Sequence, residues 1–118
     1  MELKIKIERN VVCAVLAGVD SLDATNAGTL KSEVAAKVPA AKSMVLTLSA
    51  VHSIDSAGIG ALVTILKTVR KAGGRLALVG VSPQVFSVLE IIRLTTVFEI
   101  FPDESAALVA LSSTSVPA

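Results

Sequence analysis

Tryptophan and tyrosine are absent from the 118 residues, and three phenylalanines make up the whole aromatic content of 3%. Without aromatic faces there is no platform on which nucleic-acid bases stack. An excess of either charge is missing too. Eleven Lys and Arg stand against ten Asp and Glu, a formal net charge of +1, so no basic footprint points to direct nucleic-acid binding. The single cysteine, Cys13, has no partner for an internal disulfide, and a reducing, cytoplasmic setting is the simple reading. One cysteine and one histidine, His52, are too few for a zinc-type ligand set. Neither a Walker A pattern nor a Gly-x-Gly-x-x-Gly fingerprint occurs, so no metal and no cofactor is expected. Hydrophobic residues reach 53%, and mean hydropathy is +0.74, yet no membrane span is predicted. Apolar stretches free of charge and proline, such as 56–66, fall well short of the roughly 20 residues a span needs. The first residues alternate charged and aliphatic side chains and contain no signal-peptide h-region.

What is present alternates between two periods. Residues 2–8, ELKIKIE, place Leu3, Ile5 and Ile7 between charges, the pattern of a half-buried strand. Residues 11–17 are continuously apolar, as in a strand covered on both faces. Arg9-Asn10 between them predicts an antiparallel hairpin. A helix is predicted over 24–38, with Asp23 as its cap, Ala27, Leu30, Val34 and Val38 on its buried face, and Pro39 stopping it. A strand follows at 44–48, then a helix over 56–72 whose apolar stripe is Ile59, Leu62, Val63, Leu66 and Val69. Lys67, Arg70 and Lys71 suit its C-terminal end, and Gly73-Gly74 ends it. A strand at 75–79 leads to Ser82-Pro83, an N-cap followed by proline at the first helical position. The helix over 83–93 is expected to turn Val85, Val88, Leu89 and Ile92 inward. A last strand at 97–101 and a helix over 103–111 complete the order ββαβαβαβα. Short strand–helix–strand links imply parallel pairing and right-handed crossovers. The expected fold is therefore α/β: a mixed sheet of four to five strands with about four helices, in one domain over 1–111, followed by a flexible tail at 112–118.

The chain is organised around residues 45–60, VLTLSAVHSIDSAGIG. An apolar strand runs through a short loop into a helix that starts at Asp55-Ser56-Ala57-Gly58. Asp and Ser both cap helices well, and the alanines and glycines leave the first turn with little side-chain cover. A serine hydroxyl at the positive end of a helix, beside bare backbone, suits a phosphate. Three readings of Ser56 compete at this level. It is part of an ordinary helix start, an acceptor for modification, or a hydrolase nucleophile with His52 as base. The Gly-x-Ser-x-Gly spacing of a nucleophile elbow is absent, and no third triad member is assignable.

Leu46-Thr47-Leu48-Ser49-Ala50-Val51 followed by Ile54-Asp55-Ser56-Ala57-Gly58-Ile59-Gly60 resembles the central signature of STAS domains, specifically bacterial anti-sigma factor antagonists (anti-anti-sigma factors). Gly18 with Leu22-Asp23-Ala24-Thr25-Asn26-Ala27, Gly73-Gly74 before an apolar strand, and Val81-Ser82-Pro83-Gln84-Val85 match as well, so the resemblance runs from first strand to last helix. It departs at 93–96, where Arg93-Leu94-Thr95-Thr96 replaces the family's Ser-Gly-Leu-like turn. The resemblance implies a binding module and not an enzyme. Its phosphorylation site would be Ser56, and its partner-binding residues Asp23, Thr25, Asn26, Ser53, Asp55, Ala57 and Gly58. Ala57, where the family often has a second serine, leaves one acceptor. The implied partners are a serine-kinase anti-sigma factor of the ATP-binding GHKL type and a serine phosphatase of the PP2C type. The family also implies an alternative, a STAS subunit docked constitutively in a transport or lipid-handling complex.

Overall fold

The computed structural model describes residues 1–37 and 42–113. Its strands and helices follow the two periods read above. Strands β1 (Glu2–Glu8) and β2 (Val11–Ala17) form the expected antiparallel hairpin. Arg9 and Asn10 both take left-handed φ, 52° and 63°, as a two-residue turn matched to strand twist requires. After β3 (Ser21–Leu22) comes α1 (Ala27–Lys37), then β4 (Ser43–Thr47), β5 (Ser53–Ile54), α2 (Ser56–Lys71), β6 (Leu76–Val79), α3 (Pro83–Ile91), a 3₁₀ turn (Leu94–Thr96), β7 (Glu99–Phe101) and α4 (Glu104–Ser113). The main sheet has the order β1-β2-β4-β6-β7, parallel except for β1. The fold is the α/β mixed sheet with four helices that the pattern implied.

Two cores flank the sheet. Val12, Ala14, Leu16, Met44, Leu46, Leu76 and Leu78 turn to one face, against α1, α2 and α3. Val11, Cys13, Val45, Ala77 and Val79 turn to the other, against Ala107, Leu108 and Leu111 of α4. The period-2 alternation of strands produces this division. A sheet buried on both faces also explains the continuously apolar β2 and β6.

The ends of the elements carry their expected signals. Asp55 caps α2, its side chain accepting from the Gly58 amide, and Ser82 caps α3 with Pro83 at the first position. At the far end of α2 the Gly73 amide donates to the Arg70 carbonyl and the Gly74 amide to the Val69 carbonyl. This is a Schellman closure, and the φ of +88° at Gly73 is what a glycine supplies there.

Several readings are corrected. α1 begins at Ala27, not at 24, because residues 24–26 form a turn closed by the Asp23 carbonyl, which accepts from the Asn26 and Ala27 amides at 3.2 and 2.9 Å. The expected stop at Val38-Pro39 lies outside the described residues, as do 114–118 of the expected tail; Ser112 and Ser113 belong to α4. The buried face of α2 is Gly58, Ala61, Leu62, Ile65, Leu66 and Val69, rotated from the predicted stripe so that Ile59 and Val63 are only half-buried. Helix α1 causes the rotation by packing beside α2 on the same sheet face. Ile92, expected inside, is 44% exposed because α3 ends at Ile91 and Arg93 turns left-handed at φ 63°. The last strand starts at Glu99, two residues after its predicted start, since 94–96 wind into the 3₁₀ turn.

Candidate functional site

β2 and β4 are parallel neighbours, so the loops that leave their C-terminal ends emerge side by side. Ligand sites of open α/β sheets lie at this edge. Gly18, at φ +78°, turns the chain after β2. Beyond it the two loops pair with each other. β3 and β5 form a separate two-stranded parallel ladder, Ser21 opposite Ser53 and Leu22 opposite Ile54. The His52 amide donates to the Asp20 carbonyl at 2.8 Å and the Asp55 amide to the Leu22 carbonyl at 3.2 Å. Leu22 is fully buried beneath the ladder. Extending the register by one residue sets Asp23 opposite Asp55, at the start of α2. Two loops separated by about thirty residues of sequence thus form one surface, and the spacing of Asp23 and Asp55 follows from backbone hydrogen bonds.

At that surface Asp55 Oδ1 accepts from the Gly58 amide at 3.0 Å, and Ser56 is the first helical residue, exposed to solvent. Ser53 and Asp55 are exposed, and Ala57 is half-buried. Gly58 is placed differently from the expectation of a contact residue. It is buried, and a Cβ there would overlap the Leu22 carbonyl and the Ile54 side chain. Its role is the close approach of α2 to β3.

Asp23 is held by three hydrogen bonds. Oδ1 accepts from the Thr25 hydroxyl at 2.5 Å and the Thr25 amide at 2.9 Å, and Oδ2 accepts from the Ser21 hydroxyl at 3.0 Å. The Thr25 hydroxyl, then its amide, then Ser21 hold the carboxyl below the ordinary range, because each bond favours the charged form. The expected helix cap at Asp23 is therefore realised as an Asx turn one turn ahead of α1. Asn26, expected on the contact surface, is instead only 9% exposed and bonds inward. Its Nδ2 donates to the Ser21 carbonyl at 2.8 Å, and its Oδ1 accepts from the Asp23 amide at 3.0 Å. Ser21 was not singled out by sequence reasoning. Its signal was available, since Ser-x-Asp-x-Thr is a spacing at which side chains on one face of an extended segment meet in a turn.

A second polar cluster, also missed, lies on the α4 face of the sheet. Cys13 is buried at the base of a cavity of about 280 Å³ lined by Lys4, Lys6, Val15 and Glu104. Burial, and then the Glu104 charge, push the thiol up to about 11. The Glu8, Cys13 and Glu104 ligand atoms lie within 4.8 Å of one another. The Lys6 ammonium, 2.9 Å from Glu104 and 3.5 Å from Glu8, already brings the positive charge that these carboxylates attract. His52 is exposed. No described helix is long and apolar enough to cross a membrane.

Residues 4–107 match the family model described as STAS domain. A candidate anti-sigma factor antagonist from Thermotoga neapolitana is 43% identical over 65 residues, 55% of this chain and 58% of the relative. The chain thus spans just over half the length of that relative. In structure, the chain is similar to the crystal structure of a candidate anti-sigma factor antagonist from Thermotoga maritima, with TM-score 0.82, 30% identity, and coverage of 92% of this chain and 93% of that one. A sulfate transporter family protein from Wolinella succinogenes shares the fold at TM-score 0.79 and 21% identity, covering 93% of this chain and 91% of its own.

Proposed function

Because this chain belongs to the STAS domain family, we propose that it is an anti-sigma factor antagonist, a phosphorylation-controlled binding module switched at Ser56. The module is one domain that runs from the first strand through α4, two residues past the expected end at 111. In its unphosphorylated form it binds a serine-kinase anti-sigma factor of the GHKL type and so releases a sigma factor. Phosphorylated, it lets go, and a PP2C-type phosphatase resets it. The observation that carries this reading is the position of Ser56. It is an exposed hydroxyl at the first position of a 16-residue helix, on a surface shared with Asp23.

The physical chemistry supports a switch. Unmodified, the first turn of α2 is small, and a partner can lie directly on it. Ser53, Asp55, Ala57, Asp23 and Thr25 form the contact surface in this reading, with Gly58 and Asn26 beneath it. A phosphate adds about −1.5 to −2 charge beside Asp55. The helix N-terminus tolerates that charge, so the fold survives. A docked partner would face a desolvated dianion next to two carboxylates, and like-charge juxtaposition of this kind costs several kcal/mol. About 10²-fold in affinity, or ~2.7 kcal/mol, suffices for switching.

Incubation with a candidate kinase and ATP, read by intact mass, tests the proposal. One phosphate on the wild type and none on Ser56→Ala supports it. Tight binding of the same partner with no phosphate transfer would favour constitutive docking in a transport or lipid-handling complex. Acylation of Ser56 by a serine-directed probe would favour a hydrolase.

A further inference from the structure

β3 has two residues and two edges. Successive residues of an extended chain present their backbone polar groups to opposite sides. Leu22 faces β5, where its carbonyl accepts from the Asp55 amide. The Ser21 carbonyl and the Asp23 amide face the other way, where no strand lies among the described residues. The Asn26 carboxamide occupies that side. Its Nδ2 donates to the Ser21 carbonyl at 2.8 Å, and its Oδ1 accepts from the Asp23 amide at 3.0 Å. One side-chain amide thereby takes the place of a residue on a third strand. The Asn26 backbone carbonyl meanwhile accepts from the Leu30 amide at 3.0 Å, the first turn of α1, and Leu30 is fully buried. Asn26 is thus bonded to β3 through its side chain and to a core-anchored helix through its backbone.

We propose that Asn26 is the positioning residue of this surface: by closing the open edge of β3 it holds Asp23 opposite Asp55 and Ser56, and it does not itself meet a partner. The importance given to Asp23 rests on the switch reading above; the positioning does not. Only a carboxamide supplies a donor and an acceptor with this spacing. Aspartate in its place has the same shape but directs a carboxylate oxygen at the Ser21 carbonyl. Alanine leaves both backbone groups without their partner.

The test uses the isolated chain, so its failure leaves the kinase reading standing, and failure of the kinase reading leaves it intact. Asn26→Ala and Asn26→Asp are compared with wild type by amide hydrogen exchange and by NMR titration of the Asp23 carboxyl. Asn26→Asp is nearly isosteric, which keeps the comparison available if the alanine variant does not fold. The expected result is exchange at the Asp55 amide faster by roughly tenfold relative to the Val45 amide in the sheet centre, the effect of losing one or two hydrogen bonds. In Asn26→Ala the Asp23 titration should move up toward the ordinary carboxylate value, because its bonds to Ser21 and Thr25 depend on the β3 backbone; in Asn26→Asp the added charge raises it by repulsion in any case, so that variant is read by exchange alone. A fall in exchange protection shared equally by Asp55 and Val45, with the Asp23 titration unmoved, would make Asn26 a fold residue only and overturn the proposal.

Discussion

The Asp55 amide donates to the Leu22 carbonyl across 3.2 Å, and this bond ties the loop after β2 to the first turn of α2. It lies directly beside Gly58, whose missing Cβ leaves the room that the Leu22 carbonyl occupies. The surface that carries Ser56 therefore depends on an uncharged contact beneath it as well as on the polar residues above.

Gly58→Ala should break that contact. The added methyl overlaps backbone, which cannot move aside as a flexible side-chain end does. A cost of about 1–3 kcal/mol is expected, with a melting temperature lower by several degrees in a thermal scan. Gly60→Ala is the control, because a Cβ at Gly60 meets nothing within 4 Å and alanine favours the helix. Equal melting of the two variants would refute the close-packing role.

Ser56→Ala and Ser56→Asp should behave oppositely toward the partner. Alanine keeps the turn small and neutral, so binding persists and control by phosphate is lost. Aspartate adds one negative charge beside Asp55, less than a phosphate, and weakens binding. Both should melt within a few degrees of wild type, because Ser56 is exposed and the cap belongs to Asp55. A pull-down in which wild type and both variants bind equally would mean that the site is no switch.

Arg75 joins three elements. Its guanidinium pairs with the Glu99 carboxylate through Nε at 2.9 Å and through a second, shorter Nη2 contact, and it donates from Nη1 to the Ala110 carbonyl at 3.2 Å. The Arg75 hydrogen bond holds the Glu99 carboxyl below its ordinary value. A depressed carboxyl pKa means stability that is present above the unfolded value of about 4.3 and lost as pH falls through the folded one. The pair is about one-third exposed, so Glu99→Gln should cost no more than about 1 kcal/mol at pH 7. The gap between the urea midpoints of wild type and variant should narrow as pH falls below about 4. A constant gap between them would assign the loss to packing.

Cys13 should resist alkylation in the folded protein. It is 1% exposed, and its thiol is pushed up to about 11, so little thiolate exists at pH 8 and little of it is reachable. The raised value also fixes a sign. This contribution to stability is complete below the unfolded thiol value of about 8.5 and is lost as pH rises toward about 11. Iodoacetamide labelling followed by mass measurement should give no adduct in buffer and one in urea. Rapid labelling of the native protein would show that the cavity opens.

The sequence by itself determined the five strands of the main sheet, the four helices and their order. Hydrophobic period, Ser82-Pro83, Gly73-Gly74 and Asp55 are local signals, and local sterics and hydrogen bonding act the same way wherever a segment ends up. Ser56 and Asp55 were legible for that reason, as neighbours at one helix start. Tertiary structure decided what depends on pairing distant segments. β3 and β5 have two residues each, too few to show a period, and they are strands only because the parallel β2–β4 register brings their loops together. That pairing sets Asp23 opposite Asp55. It also turns Gly58 and Asn26 inward from a surface on which sequence alone had placed them, because a buried backbone edge must find partners and a close helix contact must exclude a side chain.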